Sequence, residues 1–235
     1  CRNRGIDAAA GQWVLFADAD DYFLPGLYEK ISPYFDSEYD MVIFAPTSAD
    51  METGAPSDRH KKHVQRIQAY LKDPSRKNYL GLCRTTTIWS KLIRRQVIAD
   101  KKIYCSTSLH GNDFVCSQKL FYYCGKKKVT DEAIYCVTQS GSSLTTKKSS
   151  TSFQNSVRER TKGCEFNQAH YSREDLRYID LSGGEALLNG IKKHIRPGEI
   201  LWGARYFAAH GVNIVPYRLR SPAGIREFIK NGHLI

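Results

Sequence analysis

Three acidic residues at the end of a short apolar run are the first candidates for chemistry in this sequence. Residues 13–16 are apolar, and Asp18, Asp20 and Asp21 follow them directly. We interpret the run as a buried strand of an α/β sheet, because open sheets of this kind bind ligands at the ends of their strands. In an extended backbone, Asp18 and Asp20 would lie on one face. Paired carboxylates suit Mg²⁺ or Mn²⁺ that bridges to a phosphate-bearing substrate.

A plainer interpretation makes these acids a solvated turn. Asp21 would then cap the helix that we predict over residues 25–35, where Pro25 is a typical first-turn residue. A continuous apolar run predicts a second buried strand over residues 40–45, and helical spacing predicts an amphipathic helix over residues 62–72. The acids would therefore sit among alternating strands and helices.

The character of the sequence changes near residue 149, and several helix starts follow, including Pro197. We therefore expect two parts: an α/β domain over residues 1–148 and a helical region over residues 149–235. One face of the helical region is predicted to be basic with interleaved aromatic residues. Its members are Arg205, Arg218, Arg220, Arg226 and Lys230, with Trp202, Tyr206 and Phe207. Such a face is typical of helices on a membrane surface, and packing of the aromatics on the first domain is the alternative.

The balance of charge favours anionic partners. The 235 residues carry 35 Lys and Arg against 24 Asp and Glu, a formal net charge of +11. Nucleotide phosphates and an anionic membrane face are the partners that this charge favours. A nucleic-acid-binding domain would also be basic, but the sequence has no nucleic-acid-binding motif and no series of stacking aromatics, so we expect no nucleic acid. No apolar run approaches the ~20 residues of a membrane-spanning helix.

Cysteine usage indicates a reducing compartment. The seven cysteines are an odd number without zinc-like spacing, and Cys116, Cys124 and Cys136 are predicted core residues because their neighbours are apolar. This pattern favours the cytoplasm. His60 and His63 have no cysteine nearby, so we expect them to be exposed rather than to bind a metal.

A longer motif surrounds the acids. Residues 2–21, RNRGIDAAAGQWVLFADADD, resemble the block ARNxGIxxAxGxWxxFxDADD of family 2 glycosyltransferases of the GT-A type. Three later segments follow in the family's order: residues 89–92 (WSKL) are similar to its WNKL segment, residues 110–114 (HGNDF) stand where its ED motif stands, and residues 142–145 (SSLT) are similar to its gS(I/L)T piece. The resemblance covers about residues 1–146. It implies a Rossmann-like GT-A sheet.

The resemblance implies a nucleotide-diphospho-sugar donor, usually UDP-linked, that is held through Mg²⁺ or Mn²⁺ at the family's DXD element. Asp18 and Asp20 match the two DXD carboxylates, and Asp20 is the expected direct metal ligand. Arg2 and Asn3 match positions that lie beside the nucleotide-sugar. Helix packing and capping is the alternative role for Arg2 and Asn3.

The resemblance also implies a general base. Asp113 matches the acid that takes the proton of the acceptor hydroxyl in an inverting transferase. Asn112 replaces the family's Glu, and because asparagine carries no charge, the field around Asp113 differs from the family's. His110 is the alternative base, because imidazole accepts a proton near neutral pH.

Two segments of the family have no counterpart in the sequence. They are the opening P-x-Y-N strand and the D-D-G-S segment, both of which hold the nucleoside. Because the chain opens on Cys1 within a predicted helix, we expect a GT-A sheet that is incomplete at its N-terminus.

These observations predict a metal-dependent inverting glycosyltransferase. It would move a sugar to a glycan or polyprenyl-phosphate-linked acceptor in surface polysaccharide synthesis, in the cytoplasm and in peripheral contact with the inner face of the membrane. The alternative is a truncated, non-catalytic remnant that binds a membrane or a partner and transfers nothing.

Overall fold

The computed structural model of the protein describes residues 1–139, 149–220, 222 and 225–226. The chain divides into two compact units. The first contains residues 1–105 and 116–146, and the second contains residues 106–115 and 147–235. Among the described residues, no helix combines the length and the apolar character needed to cross a membrane. Residues 142–145 of the family resemblance lie outside the described residues, as does the predicted boundary at residue 148.

The first unit combines a sheet with short helices. Its strands are β1 (Trp13–Leu15), β2 (Tyr22–Phe23), β3 (Met41–Asp50), β4 (Lys91–Arg94) and β5 (Lys127–Gln139). Its helices before residue 106 are α1 (Arg2–Ala8), α2 (Leu27–Ile31), α3 (Lys61–Lys72), α4 (Arg76–Gly81) and α5 (Arg95–Asp100), with 3-10 turns at Ser32–Tyr34 and Leu82–Arg84. Helix α6 (Phe114–Tyr123) precedes β5.

The sheet is mixed, with strand order β1-β4-β3-β5-β2. Strands β3 and β5 pair in parallel, and the other neighbours are antiparallel. Strand β3 is buried over nearly its whole length, which its continuous apolar run predicts. The central core contains Val42, Phe44, Leu92, Ile134 and Tyr135, each at most 1% exposed. The long strand β5 contributes to this core and lies between β3 and the short strand β2.

Several local predictions are confirmed and others are corrected. The helix expected over residues 62–72 is α3, and Cys116, Cys124 and Cys136 are buried. Strand β1 is half-buried, lies at one edge of the described sheet and pairs antiparallel with β4, so the prediction of a fully buried strand is wrong. Helix α2 covers only part of residues 25–35, because a 3-10 turn that contains Pro33 takes over at Ser32.

The second unit is helical. It contains α7 (Ser150–His170), α8 (Arg173–Ile179), α9 (Gly184–Lys192) and α10 (Pro197–Ala209), followed by a 3-10 turn at Tyr217–Arg220. Its core includes Phe153, Val157, Leu187 and Phe207. Glycine lets α9 and its neighbours approach closely, since a Cβ on Gly190 would lie 2.6 Å from carbon atoms of Ile200 and Phe153.

The aromatic residues predicted on a basic face of the helical region pack into the core of this unit instead. Phe207 is fully buried in the core, and Trp202 and Tyr206 pack partly buried against it, so these aromatics do not form a free surface stripe. Lys230 and the side chain of Arg218 lie outside the described residues.

Candidate active site

Residues 17–21, which we call the acid loop, follow β1 in the first unit. Phe16 forms an isolated bridge with Trp89, and the chain then leaves the sheet. The Asp21 amide donates a hydrogen bond of 3.1 Å to the Asp18 carbonyl oxygen, which closes a turn. The premise of an extended backbone at Asp18 and Asp20 is therefore wrong, because this turn sets their directions.

Strand β5 holds the acid loop. The Tyr135 hydroxyl accepts a hydrogen bond from the Asp18 amide at 2.9 Å and donates one to Asp21 Oδ2 at 2.7 Å. The Thr138 amide donates to Asp21 Oδ1 at 2.8 Å, and the Thr138 hydroxyl donates to the Asp20 carbonyl oxygen at 2.6 Å. Asp21 thus anchors the loop to β5, and the alternative in which it caps a helix is wrong, since β2 follows it and α2 begins after Gly26.

Asp21 is half-buried, and its pKa therefore differs from that of a fully solvated carboxylate. Burial raises the pKa of Asp21 above its ordinary value, and the nearby carboxylates of Asp20 and Asp18 act in the same direction. Hydrogen bonds from Thr138 and Tyr135 oppose this rise. The pKa of the Tyr135 hydroxyl is also raised, chiefly by burial, so the phenol stays protonated and remains a donor to Asp21.

Asp20 has the opposite environment. Its side chain is exposed, and its carboxylate has no hydrogen-bond partner within the described part of the chain. Asp18 is half-buried and forms an ion pair with Arg2. Among the described residues there is no cluster of three or more His, Cys, Asp and Glu side chains that could enclose a metal ion.

These carboxylates nevertheless fit a divalent cation of the predicted kind. Mg²⁺ at phosphate sites is held by one or two carboxylates together with substrate oxygens and water, and it does not need a closed protein cage. Asp20 is the available carboxylate, and Asp18 lies two residues away with Arg2 as its present partner. A metal site of this open type is consistent with the acid loop.

Aromatic rings support the residue that anchors the loop. The ring of Trp89 stacks on that of Tyr135 at a centroid distance of 5.6 Å, and Phe23 packs edge-on to Tyr135 at 5.5 Å. His63 lies 4.9 Å from the ring of Trp89. Burial, assisted by the positive charges nearby, lowers the pKa of His63 to about 3, so the prediction that this histidine is exposed is wrong.

Arg2 and Asn3 of helix α1 have different partners. Arg2 reaches the Asp18 carboxylate. The Asn3 side chain both donates to the carbonyl oxygen of Cys105 and accepts from its amide, at 2.9 Å in each case. Asn3 therefore ties α1 to the backbone near residue 105, a packing role that sequence reasoning held open as the alternative. Contact of either residue with a nucleotide-sugar stays a prediction.

The second predicted centre, Asp113, belongs to the second unit. Residues 106–113, which we call the Asp113 loop, end where the half-buried Asp113 precedes α6. The loop is closed by a hydrogen bond from the Ser106 amide to the Asn112 carbonyl oxygen at 2.9 Å. Helix α7 holds it from outside: Glu159 Oε1 accepts from the Ser106 hydroxyl at 2.9 Å, and His110 Nε2 lies 2.5 Å from the Ser152 hydroxyl.

The two candidate bases, His110 and Asp113, lie in different local environments. One nitrogen of His110 is engaged by Ser152, whereas Asp113 is part of the turn that leads into α6. Gly111 has φ +69°, a left-handed conformation that favours glycine. The role of Asp113 as a base stays a prediction.

Sequence reasoning missed the residues that shape the acid loop. Tyr135 and Thr138 lie more than 110 residues from it in sequence, and no local pattern connects them with Asp21. One feature of the sequence could have indicated them: Thr138 is a polar residue directly after an apolar run. Thr138 follows the buried residues 134–137 of β5 and is itself 6% exposed.

The first 100 residues, which contain the acid loop, are similar to an enzyme family that transfers sugars. Residues 1–100 match the model of the family described as glycosyl transferase family 2. The resemblance that the DADD block predicted is thereby confirmed over those residues.

Particular relatives agree with this family. The chain is 30% identical over 144 residues to "Uncharacterized glycosyltransferase YibD" of Escherichia coli (strain K12). This alignment covers 57% of this chain and 40% of that protein. It is also 30% identical over 102 residues to "Putative glycosyltransferase EpsH" of Bacillus subtilis (strain 168), over 41% of this chain and 28% of that protein. The chain thus spans less than half the length of these relatives.

Solved structures share the fold. S. aureus TarS 1-349 superposes with a TM-score of 0.58 at 15% identity, covering 98% of this chain and 70% of that chain. The TarS 1-349 complex with UDP-GlcNAc gives a TM-score of 0.57 at 14% identity, covering 89% of this chain and 59% of that chain. The predicted α/β sheet with a helical C-terminal part is confirmed by these similarities and by the elements themselves.

Proposed function

We propose that the protein is a metal-dependent inverting glycosyltransferase. It takes a sugar from a nucleotide-diphospho-sugar, most simply a UDP-sugar, and passes it to a hydroxyl of a glycan or polyprenyl-phosphate-linked acceptor. The observation that carries this proposal is the acid loop, which presents the exposed Asp20 while β5 fixes the backbone on either side of it. The complexes of TarS with UDP-GlcNAc and UDP support the donor class.

The acid loop is proposed to hold the donor's diphosphate. Asp20 and Asp18 would ligate Mg²⁺ or Mn²⁺, which supplies Lewis-acid stabilisation of the negative charge that develops on the leaving diphosphate. Asp21 does different work: its hydrogen bonds with Tyr135 and Thr138 keep the loop in one geometry. Arg2 and Asn3 are proposed to lie beside the nucleotide-sugar.

Asp113 is proposed as the general base that deprotonates the acceptor hydroxyl. An inverting transfer needs such a group within hydrogen-bond reach of the attacking oxygen. The Asp113 loop has the internal hydrogen bonds and the contacts with α7 that a positioned side chain requires.

A membrane is the proposed location of the acceptor. The seven cysteines are all free thiols, which supports a reducing compartment such as the cytoplasm. Helices α9 and α10 expose Leu188, Ile191 and Leu201, each at least 50% exposed, and Lys192 and Arg196 lie beside them. Apolar side chains with basic neighbours fit the surface of an anionic membrane. Sedimentation with phosphatidylglycerol vesicles but not with phosphatidylcholine vesicles is expected, and equal recovery with both would contradict the contact.

Sugar transfer from UDP-sugars, measured with Mn²⁺ and with EDTA, tests the enzymatic proposal. Activity is expected only with the metal, and Asp20→Ala is expected to lose about 10²-fold or more, the scale of a lost electrostatic contact to developing charge. Asp36→Ala is the matched control, because Asp36 is also an exposed acid but lies outside the acid loop. Turnover by Asp20→Ala equal to that of the Asp36 variant would contradict the assigned role, and transfer that persists in EDTA would contradict metal dependence.

A further inference from the structure

Arg59 lies beside the acid loop without belonging to it. Its guanidinium donates a hydrogen bond of 2.6 Å to the carbonyl oxygen of Thr138. The same Thr138 donates its hydroxyl to the Asp20 carbonyl oxygen at 2.6 Å and its amide to Asp21 at 2.8 Å. A single residue of β5, Thr138, therefore links Arg59 to the Asp21 carboxylate and to the backbone of Asp20.

The backbone around Arg59 is fixed by the buried Ser48 of β3. The Ser48 hydroxyl lies 2.6 Å from His60 Nδ1 and accepts a hydrogen bond from the Ser57 hydroxyl at 2.8 Å. The Ser57 amide donates to the Ser48 carbonyl oxygen at 2.9 Å. Ser48 pairs in register with Val137, the residue before Thr138. Residues on both sides of Arg59 are thus attached to the strand pair that holds the acid loop.

The charge of Arg59 is not neutralised by a neighbour. Its side chain is exposed, and within the described residues it forms no ion pair; its hydrogen bond goes to a carbonyl oxygen, which leaves further N–H groups of the guanidinium available. By contrast, Lys61 pairs with Asp58 at 2.8 Å. The surroundings are basic, since Lys62 and Arg66 follow on α3.

A guanidinium with these properties is a binding group for phosphate. Arginine offers several donors in a rigid plane that matches phosphate oxygens, and prior fixation reduces the entropy lost on binding. We propose that Arg59 binds a phosphate group of a substrate at the acid loop. This inference rests on the proposed function, which leaves two sources of the phosphate: the diphosphate of the nucleotide-sugar and the phosphate that links a lipid to the acceptor glycan.

The test compares Arg59→Gln and Arg59→Lys with wild type in isothermal titration calorimetry. The probes are inorganic pyrophosphate and UDP, each with Mn²⁺, and farnesyl phosphate added to UDP-saturated protein. Arg95→Gln is the matched control, because Arg95 also donates to a carbonyl oxygen, that of Gly11 at 2.6 Å, but at the edge strand β1. Melting curves establish that each variant is folded.

Arg59→Gln is expected to weaken at least one probe by about 10-fold, the scale of one lost charge-assisted hydrogen bond. Weaker binding of pyrophosphate and UDP assigns Arg59 to the donor's diphosphate, and weaker binding of farnesyl phosphate alone assigns it to the acceptor. Arg59→Lys is expected to lie between wild type and Arg59→Gln. If all three probes bind folded Arg59→Gln within twofold of wild type, or if Arg95→Gln loses as much, the inference is wrong. Absence of sugar transfer with retained, Arg59-dependent pyrophosphate binding would overturn the proposed function and leave this inference standing.

Discussion

The acid loop and the Asp113 loop are both turns that carry a carboxylate, but they are held in different ways. The acid loop is held by a strand: the Thr138 amide and the hydroxyls of Thr138 and Tyr135 bind its backbone and Asp21. The Asp113 loop is held by side chains of a helix, because Ser152 and Glu159 of α7 contact His110 and Ser106. One loop thus depends on β5 and the other on the helical region.

The two loops also differ in whether the matched family model includes them. The family match covers residues 1–100, which contain the acid loop but neither Asp113 nor α7. Strand β5 lies within the stretch that resembles the family, whereas α7 lies beyond it. The proposed metal site therefore lies within the matched family model, whereas the proposed base rests on the resemblance of residues 110–114 and on the contacts of its loop with α7.

Loss of Asp113 is expected to have the largest effect. Asp113→Asn removes the proposed base but keeps the side-chain size, so sugar transfer should fall by about 10²- to 10⁴-fold. Binding of UDP with Mn²⁺ should stay within about twofold of wild type, because this substitution leaves the acid loop unchanged. Transfer kinetics and calorimetry on the same preparation measure both quantities.

His110→Gln is the companion variant, since it keeps a polar side chain next to Ser152 but removes the imidazole. It is expected to retain most of the transfer activity. A loss in His110→Gln as large as in Asp113→Asn would move the base to His110, and retained transfer in Asp113→Asn would remove Asp113 from the mechanism.

Loss of the Tyr135 hydroxyl tests how the acid loop is held. Tyr135→Phe keeps the stack on Trp89 but removes the donor to Asp21 and the acceptor of the Asp18 amide. The free energy of unfolding should fall by about 1–3 kcal/mol, the cost of leaving partly buried polar groups unpaired. Urea unfolding measures this change. Tyr28→Phe, at a side chain 67% exposed, is the control and should change little; equal values for the two variants would show that β5 does not hold the loop.

The equivalent test of the Asp113 loop uses its glycine. Gly111→Ala introduces a side chain at φ +69°, so the free energy of unfolding should fall by about 1–2 kcal/mol. Gly5→Ala is the matched control within α1, where a Cβ would meet nothing within 4 Å, and there alanine should stabilise by up to about 1 kcal/mol. Urea unfolding of both variants measures the contrast, and a neutral Gly111→Ala would contradict the left-handed conformation of this loop at Gly111.

The sequence predicted the element types near the site better than the site's geometry. Residues 13–21 identified the acid loop, and the apolar run of β3 identified a central strand, because both signals are local. The turn at Asp18 and the role of Asp21 were not predictable, since their hydrogen-bond partners Tyr135 and Thr138 are distant in sequence. The burial of His63 was missed for a similar reason: its basic neighbours indicate exposure, and the ring of Trp89 that covers it comes from another segment.

The pH dependence of stability that arises from Asp21 should be the smallest of these effects, and it distinguishes Asp21 from the other acids of the acid loop. Burial raises the pKa of Asp21 in the folded protein above the ordinary value of 3.8. The folded state therefore holds this proton more tightly than the unfolded state, so the contribution of Asp21 to stability decreases as the pH rises from 3.8 through the raised pKa.

Asp21→Asn should abolish this decrease, whatever its effect on absolute stability, because asparagine does not titrate. Urea unfolding at a series of pH values above 3.8 measures the slope for wild type and variant. Asp36→Asn, at an exposed acid outside the loop, is measured alongside as the control. If Asp21→Asn keeps the slope of the wild type, Asp21 is as solvated as an ordinary surface carboxylate, and the contrast between a half-buried anchor at Asp21 and the exposed, proposed metal ligand Asp20 is lost.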